Sequence, residues 1–79
     1  MTNLILQNSK NALLEGLDEK CSYLVEFLNV NSRELLVNGK NLILNSVGEA
    51  VTISGVNQIK IEDAEGNNLN GIINFYRIH

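Results

Sequence analysis

Glu34-Leu35-Leu36-Val37-Asn38-Gly39-Lys40-Asn41-Leu42-Ile43-Leu44 is the stretch that decides the fold. The Asn-Gly pair at its centre suits a two-residue type I′ turn. Both central residues of that turn need positive φ, which Asn tolerates and Gly adopts readily. Closing the chain there pairs Leu35 with Leu42 and Val37 with Lys40. Side chains alternate along a strand, so Leu35, Val37, Leu42 and Leu44 share one face. The stretch reads as a hairpin with one apolar side, and the fold class as mostly β.

Working outward, the glycine recurs. Gly39, Gly55 and Gly71 are spaced by 16 residues, with Val37, Ile53 and Leu69 two positions before them and Ile43, Ile59 and Phe75 four after. Asn70-Gly71 repeats the hairpin signal and Ser54-Gly55 is a poorer version, so all three glycines are expected at structural turns. Polar stretches at Asn29–Arg33, Asn45–Glu49 and Asp63–Asn68 fall between the units. The predicted architecture is a small antiparallel meander or barrel of short strands. Its repeat of 16 residues is clear over 33–79 and faint over 1–32. Two other versions fit the same spacing: glycines marking bulges in longer bent strands, and a parallel β-solenoid with one coil per repeat.

A second internal match reaches the N-terminus. Asn3-Leu4-Ile5-Leu6 is identical to Asn41-Leu42-Ile43-Leu44. Asn8-Ser9, Ala12 and Gly16-Leu17 then resemble Asn45-Ser46, Ala50 and Gly55-Val56 with a one-residue slip. The first third is therefore expected to be built like the rest. Residues 10–28 carry two patterns. Leu14, Leu17, Cys21, Leu24 and Leu28 step as one face of a helix would, with Ser9 as its cap. Against that, Gly16 weakens a helix interior, and Cys21, Tyr23, Val25 and Phe27 alternate as in a strand. We read 21–30 as strand; an α+β fold with a helix over 10–28 is the alternative.

The whole chain, 79 residues, is one domain by length. A domain this small has a thin core and little room for a deep cavity. The six Lys and Arg are outnumbered by nine Asp and Glu and form no stripe, which argues against direct nucleic-acid binding. A single cysteine, Cys21, rules out an internal disulfide. No apolar run is long enough to span a membrane, and Met1–Leu6 lacks the basic start of a signal peptide. The expected address is the cytoplasm.

Catalytic chemistry finds little material. The one histidine, His79, is the last residue, so no nucleophile–base–orienter set can be assembled. Cys21 sits in an alternating apolar stretch and reads as core rather than as a reactive thiol. Zinc needs about four Cys or His ligands, and the chain has two. Glu62-Asp63-Ala64-Glu65-Gly66-Asn67-Asn68 is too short for a calcium loop and reads as a solvated turn. Glu15, Asp18 and Glu19 read as an exposed acidic face. The expectation is no enzyme, no cofactor and no metal.

Tyr76 should point away from Phe75, outward, and it stands beside Arg77. Tyr and Arg are favoured in binding hot spots, so this pair is the best partner-binding candidate. The thirteen asparagines suit the corners of a turn-rich β protein.

The rhythm of apolar residue and glycine with Asn-containing turns is similar to that of the YabP/YqfC sporulation-protein family. The stretches concerned are Leu4–Ser9 through Gly16-Leu17, Leu35–Leu42, and Val51–Val56. The chain departs from the pattern in having no Arg after Asn8 and an extra C-terminal unit, Leu69 to Ile78. The resemblance implies a small intracellular β protein with an assembly or regulatory role in sporulation. It carries over no functional residue.

The residues themselves point to a non-enzymatic interaction or assembly module that binds a protein partner, or itself as a homo-oligomer, through sheet edges. The acidic balance admits a second reading, a small phage-type inhibitor that occupies a basic site on a host protein.

Overall fold

The computed structural model describes residues 1–78 and is all-β among them, with eight strands. They are β1 (Thr2–Ser9), β2 (Ala12–Leu14), β3 (Ser22–Leu28), β4 (Glu34–Val37), β5 (Lys40–Ile43), β6 (Ala50–Ser54), β7 (Ile59–Asp63) and β8 (Leu69–Arg77). Two antiparallel four-stranded sheets form, in the orders β1-β8-β3-β6 and β2-β7-β4-β5. Their inner faces share one core, with Val25, Phe27, Ile73 and Phe75 from the first sheet and Leu35, Ile59 and Ile61 from the second. The predicted antiparallel β fold of short strands stands. The sheets do not close into a barrel, do not run as a single meander and do not coil as a solenoid.

The hairpin that opened the reading is present. Asn38 and Gly39 both have positive φ, 50° and 81°, and Leu35 faces Leu42 while Val37 faces Lys40. Asn38 also clamps the start of β7. Its Nδ2 donates to the Gln58 carbonyl at 2.9 Å, and its Oδ1 accepts from the Lys60 N–H at 2.8 Å. An Asn at this turn therefore supplies both the conformation and a link to the next strand.

The 16-residue unit does not survive. Gly39 sits in a hairpin, whereas Gly55 follows the end of β6, where the chain crosses to the other sheet, and Gly71 lies inside β8. Gly71 is no hairpin turn. It has φ 132°, and a Cβ there would stand 2.6 Å from the Asn29 carbonyl oxygen and 2.8 Å from Val30 Cα. The loop after β3 passes directly over the strand at that point, and only glycine leaves room. Nor does Gly71 mark a bulge in its own strand; the bulge lies across from it, on β1. Between Leu6 and Ser9, opposite Gly71 and Leu69, the β1–β8 register slips, with Asn8 at φ 49°.

No helix occupies 10–28. Residues 12–14 form β2, a turn follows at Glu19-Lys20, and β3 begins at Ser22. The strand alternation wins because Tyr23, Val25 and Phe27 all face the core, while Leu24 and Leu28 lie half-buried on the opposite face. Cys21 is buried, as expected.

The second internal match is the one the architecture follows. Advancing every strand number by four, counting past β8 to β1, turns β1-β8-β3-β6 into β5-β4-β7-β2, which is the other sheet. Registers follow suit. The pair Leu4↔Ile73 maps onto Leu42↔Leu35, and Thr2↔Phe75 onto Lys40↔Val37. Gly16 and Gly55, at φ 72° and 73°, begin one equivalent pair of crossings between the sheets, β2 to β3 and β6 to β7, which meet where the Leu17 N–H donates to the Asn57 carbonyl at 2.9 Å. The molecule is thus two similarly wound halves related by a pseudo-twofold axis.

Candidate functional site

Each sheet ends in two strands that have a neighbour on one side only: β1 and β6 in one, β2 and β5 in the other. Free edges expose unpaired N–H and C=O groups, and proteins commonly blunt them with Lys, Pro or bulges. Here β1 (Thr-Asn-Leu-Ile-Leu-Gln-Asn-Ser), β2 and β6 contain no charged residue and no proline, and β5 contains only Lys40. β1 is the longest of the four, and Ile5 at its middle is 68% exposed.

The β1 and β2 edges lie at one end of the sandwich and are in contact with each other. At the opposite end, β5 and β6 part around a cleft of about 370 Å³. Val37, Leu42, Val51, Ile53 and Val56 give it an apolar lining, and Lys40 stands at its rim. No carboxylate among the described residues lines it. The physical content of this end is two strand edges on either side of an apolar trough bearing one positive charge.

The residues singled out from sequence are placed as follows. Tyr76 lies half-buried on the outer face of the first sheet, in a polar row across three strands. Asn3 Nδ2 donates to Asn74 Oδ1, Asn74 Nδ2 donates to Glu26 Oε1 at 3.0 Å, and the Tyr76 hydroxyl donates to the same oxygen at 3.4 Å. Partial burial, then the Glu26 charge, pushes the Tyr76 hydroxyl above its ordinary pKa. Arg77 is exposed and, being the next residue of a strand, points to the other face. The structure does not bring Tyr76 and Arg77 together on one surface. Of the three glycines, Gly39 alone is a hairpin turn.

The acidic stretch after β7 is a built turn. Asp63 is 7% exposed, and its carboxylate accepts from the Ser32 hydroxyl, from the Glu65 N–H at 2.9 Å and from the Asn67 N–H at 3.0 Å. These bonds, led by that of Ser32, hold its pKa below the ordinary carboxylate value. Glu15, Asp18 and Glu19 are exposed, and Asp18 Oδ1 accepts from the Lys20 N–H within its own turn. No cluster of three His, Cys, Asp or Glu able to hold a metal exists among the described residues. His79 lies outside the described residues. No helix among them is long and apolar enough to cross a membrane.

Sequence reasoning missed the cleft because its lining residues are the same Val, Leu and Ile that elsewhere fill the core. The signal that leads to it is the repeated Asn-Leu-Ile-Leu, whose two copies fall on β1 and on β5 with the residue after it, at opposite ends of the sandwich. Comparison with known proteins gives no match: no family model fits the chain, and no curated sequence or solved structure is significantly similar to it.

Proposed function

We propose that the protein is a non-enzymatic interaction module that works by strand addition, pairing an extended segment of another chain with its free sheet edges. The observation that supports this most directly is the absence of charge and proline from β1, β2 and β6. Main-chain pairing gives affinity in this mode, and alternate side chains give selectivity. The simplest partner is a second copy. Two β1 strands running antiparallel about a twofold axis would join two four-stranded sheets into one of eight, an arrangement that closes on itself.

Size-exclusion chromatography with light scattering tests it. The wild-type chain is expected at twice the single-chain mass at micromolar concentration. Ile5→Lys places a charge on the exposed middle of β1 and is expected to return the chain to a monomer. A wild-type chain that stays monomeric at millimolar concentration would remove self-addition from the proposal.

A further inference from the structure

The pseudo-twofold axis says what the cleft between β5 and β6 lacks. Val37 stands in β4 where Phe75 stands in β8: Phe75 is flanked by Thr2 and Val25, and Val37 by Lys40 and Ile61. The neighbours correspond as well. Leu42 matches Leu4, and Val51, opposite Val25, matches Ala12, opposite Ile61. Phe75 is 2% exposed and sits in the core at its end of the sandwich. Val37, an isopropyl group in place of a benzyl group, is half-buried and lines the cleft. Val51 is larger than Ala12, so the two ends differ less in apolar bulk than in its placement: the open end lacks a ring reaching in from its central strand, and Val37 and Val51 stay half-buried where Phe75 and Ala12 are 2% exposed.

The rim adds a charge preference. Lys40 occupies the position matching Thr2, is exposed and lines the cleft with no carboxylate of the described residues beside it there. The chain as a whole carries −3, so this is a local reversal of its sign. The edges of β5 and β6 supply main-chain groups on either side.

We propose that the cleft takes one aromatic side chain from an extended segment of a partner protein, with an Asp or Glu two residues along meeting Lys40. In a strand, residues i and i+2 point the same way and stand about 6.6 Å apart, so both reach the same side of the added strand. The proposal rests on the strand-addition reading and names the chemistry of the partner.

Selection of short random peptides on the full chain, followed by fluorescence titration of the enriched peptides, tests it. Enriched sequences are expected to carry aromatic-x-acid, and Val37→Phe, which supplies the missing ring internally, is expected to weaken them by about tenfold or more. Lys40→Glu is expected to weaken them too, and the wild-type affinity to fall with added salt. Ile53→Phe fills the cleft from the facing strand and serves as the second blocking variant where Val37→Phe does not fold. Ile5→Lys, at the far edge, is expected to leave peptide binding unchanged.

Peptides without the aromatic, peptides that bind both filled variants as tightly as wild type, or no enrichment at all would overturn the assignment. Self-association abolished by Ile5→Lys together with any of those results would leave strand addition standing and the cleft's occupant refuted. Peptide binding at the cleft in a strictly monomeric protein would support the cleft and remove self-addition.

Discussion

Gly71→Ala is the most searching single substitution, because three glycines at equal spacing have unequal surroundings. A Cβ at Gly71 would meet Asn29 O at 2.6 Å, Val30 Cα at 2.8 Å and the Asn29 carbonyl carbon at 2.9 Å, all of them backbone. At Gly39 and Gly55 it would meet nothing within 4 Å. For Gly55→Ala the penalty is conformational, about 1–2 kcal/mol for a left-handed residue with a side chain. At Gly71 a strained φ of 132° costs about 1–3 kcal/mol, and the loop has to move as well.

That loop is tied to β8 by the Asn31 N–H donating to the Asn70 carbonyl at 3.0 Å, by Asn31 Nδ2 donating to the Asn68 carbonyl at 3.1 Å and by Asn31 Oδ1 accepting from the Asn70 N–H at 2.7 Å. Each such bond contributes about 1 kcal/mol net, so disturbing two of them brings the total to roughly 3–5 kcal/mol. A domain of this size is stable by about 4–12 kcal/mol, so the loss is large. Urea unfolding followed by far-UV circular dichroism measures it. With a slope near 1 kcal/mol/M, the Gly71→Ala midpoint should fall about 2–3 M further than that of Gly55→Ala. Equal shifts for the two variants would refute the close crossing.

Thr2 faces Phe75 as Lys40 faces Val37, so Phe75 and Thr2 correspond to the two residues that flank the Asn38-Gly39 turn in the other half. A circular permutant joining His79 to Met1 through a short Gly-rich link and opened between Asn38 and Gly39 should keep the far-UV spectrum and cooperative melting of the parent; a disordered permutant would contradict the equivalence. Asp63 has a depressed pKa, so the stability it contributes is present above its unfolded value near 4 and is lost as pH falls through the lower folded value. Urea midpoints of wild type and Asp63→Asn should therefore converge as the pH is lowered below about 4 and separate above it. A gap between them that does not change with pH would exclude the carboxylate as its source.

What was legible in the sequence was what depends on near neighbours. Asn38-Gly39 declares its hairpin because the turn needs only those two φ angles and the flanking alternation of Leu35, Val37, Leu42 and Leu44. The alternation Tyr23, Val25, Phe27 was equally local. Gly71 was misread because its need for glycine arises from Asn29 and Val30, about 40 residues away and on another element. A glycine demanded by a turn, by a crossing and by a close approach looks the same in one dimension, which made the equal spacing of Gly39, Gly55 and Gly71 persuasive. Leu24 and Leu28 lent 10–28 a helical period because the outer face of the first sheet keeps partly buried apolar residues. The edges were hidden for a related reason: whether a strand has one neighbour or two is decided by pairing across the chain. Val37 read correctly as inward, but that its end of the sandwich is underfilled needs Phe75 for comparison.

The unequal pair Val37 and Phe75 bears on how such a chain diverges over time. When two halves share one plan, a change that loosens packing is tolerated only where the other half already supplies enough cohesion. Substitutions accumulating in descendants of this chain should therefore gather around Val37, Val51 and Ile53, altering what the open end accepts. Their counterparts Phe75, Ala12 and Leu14 should resist change, because there the same alterations would loosen the scaffold itself.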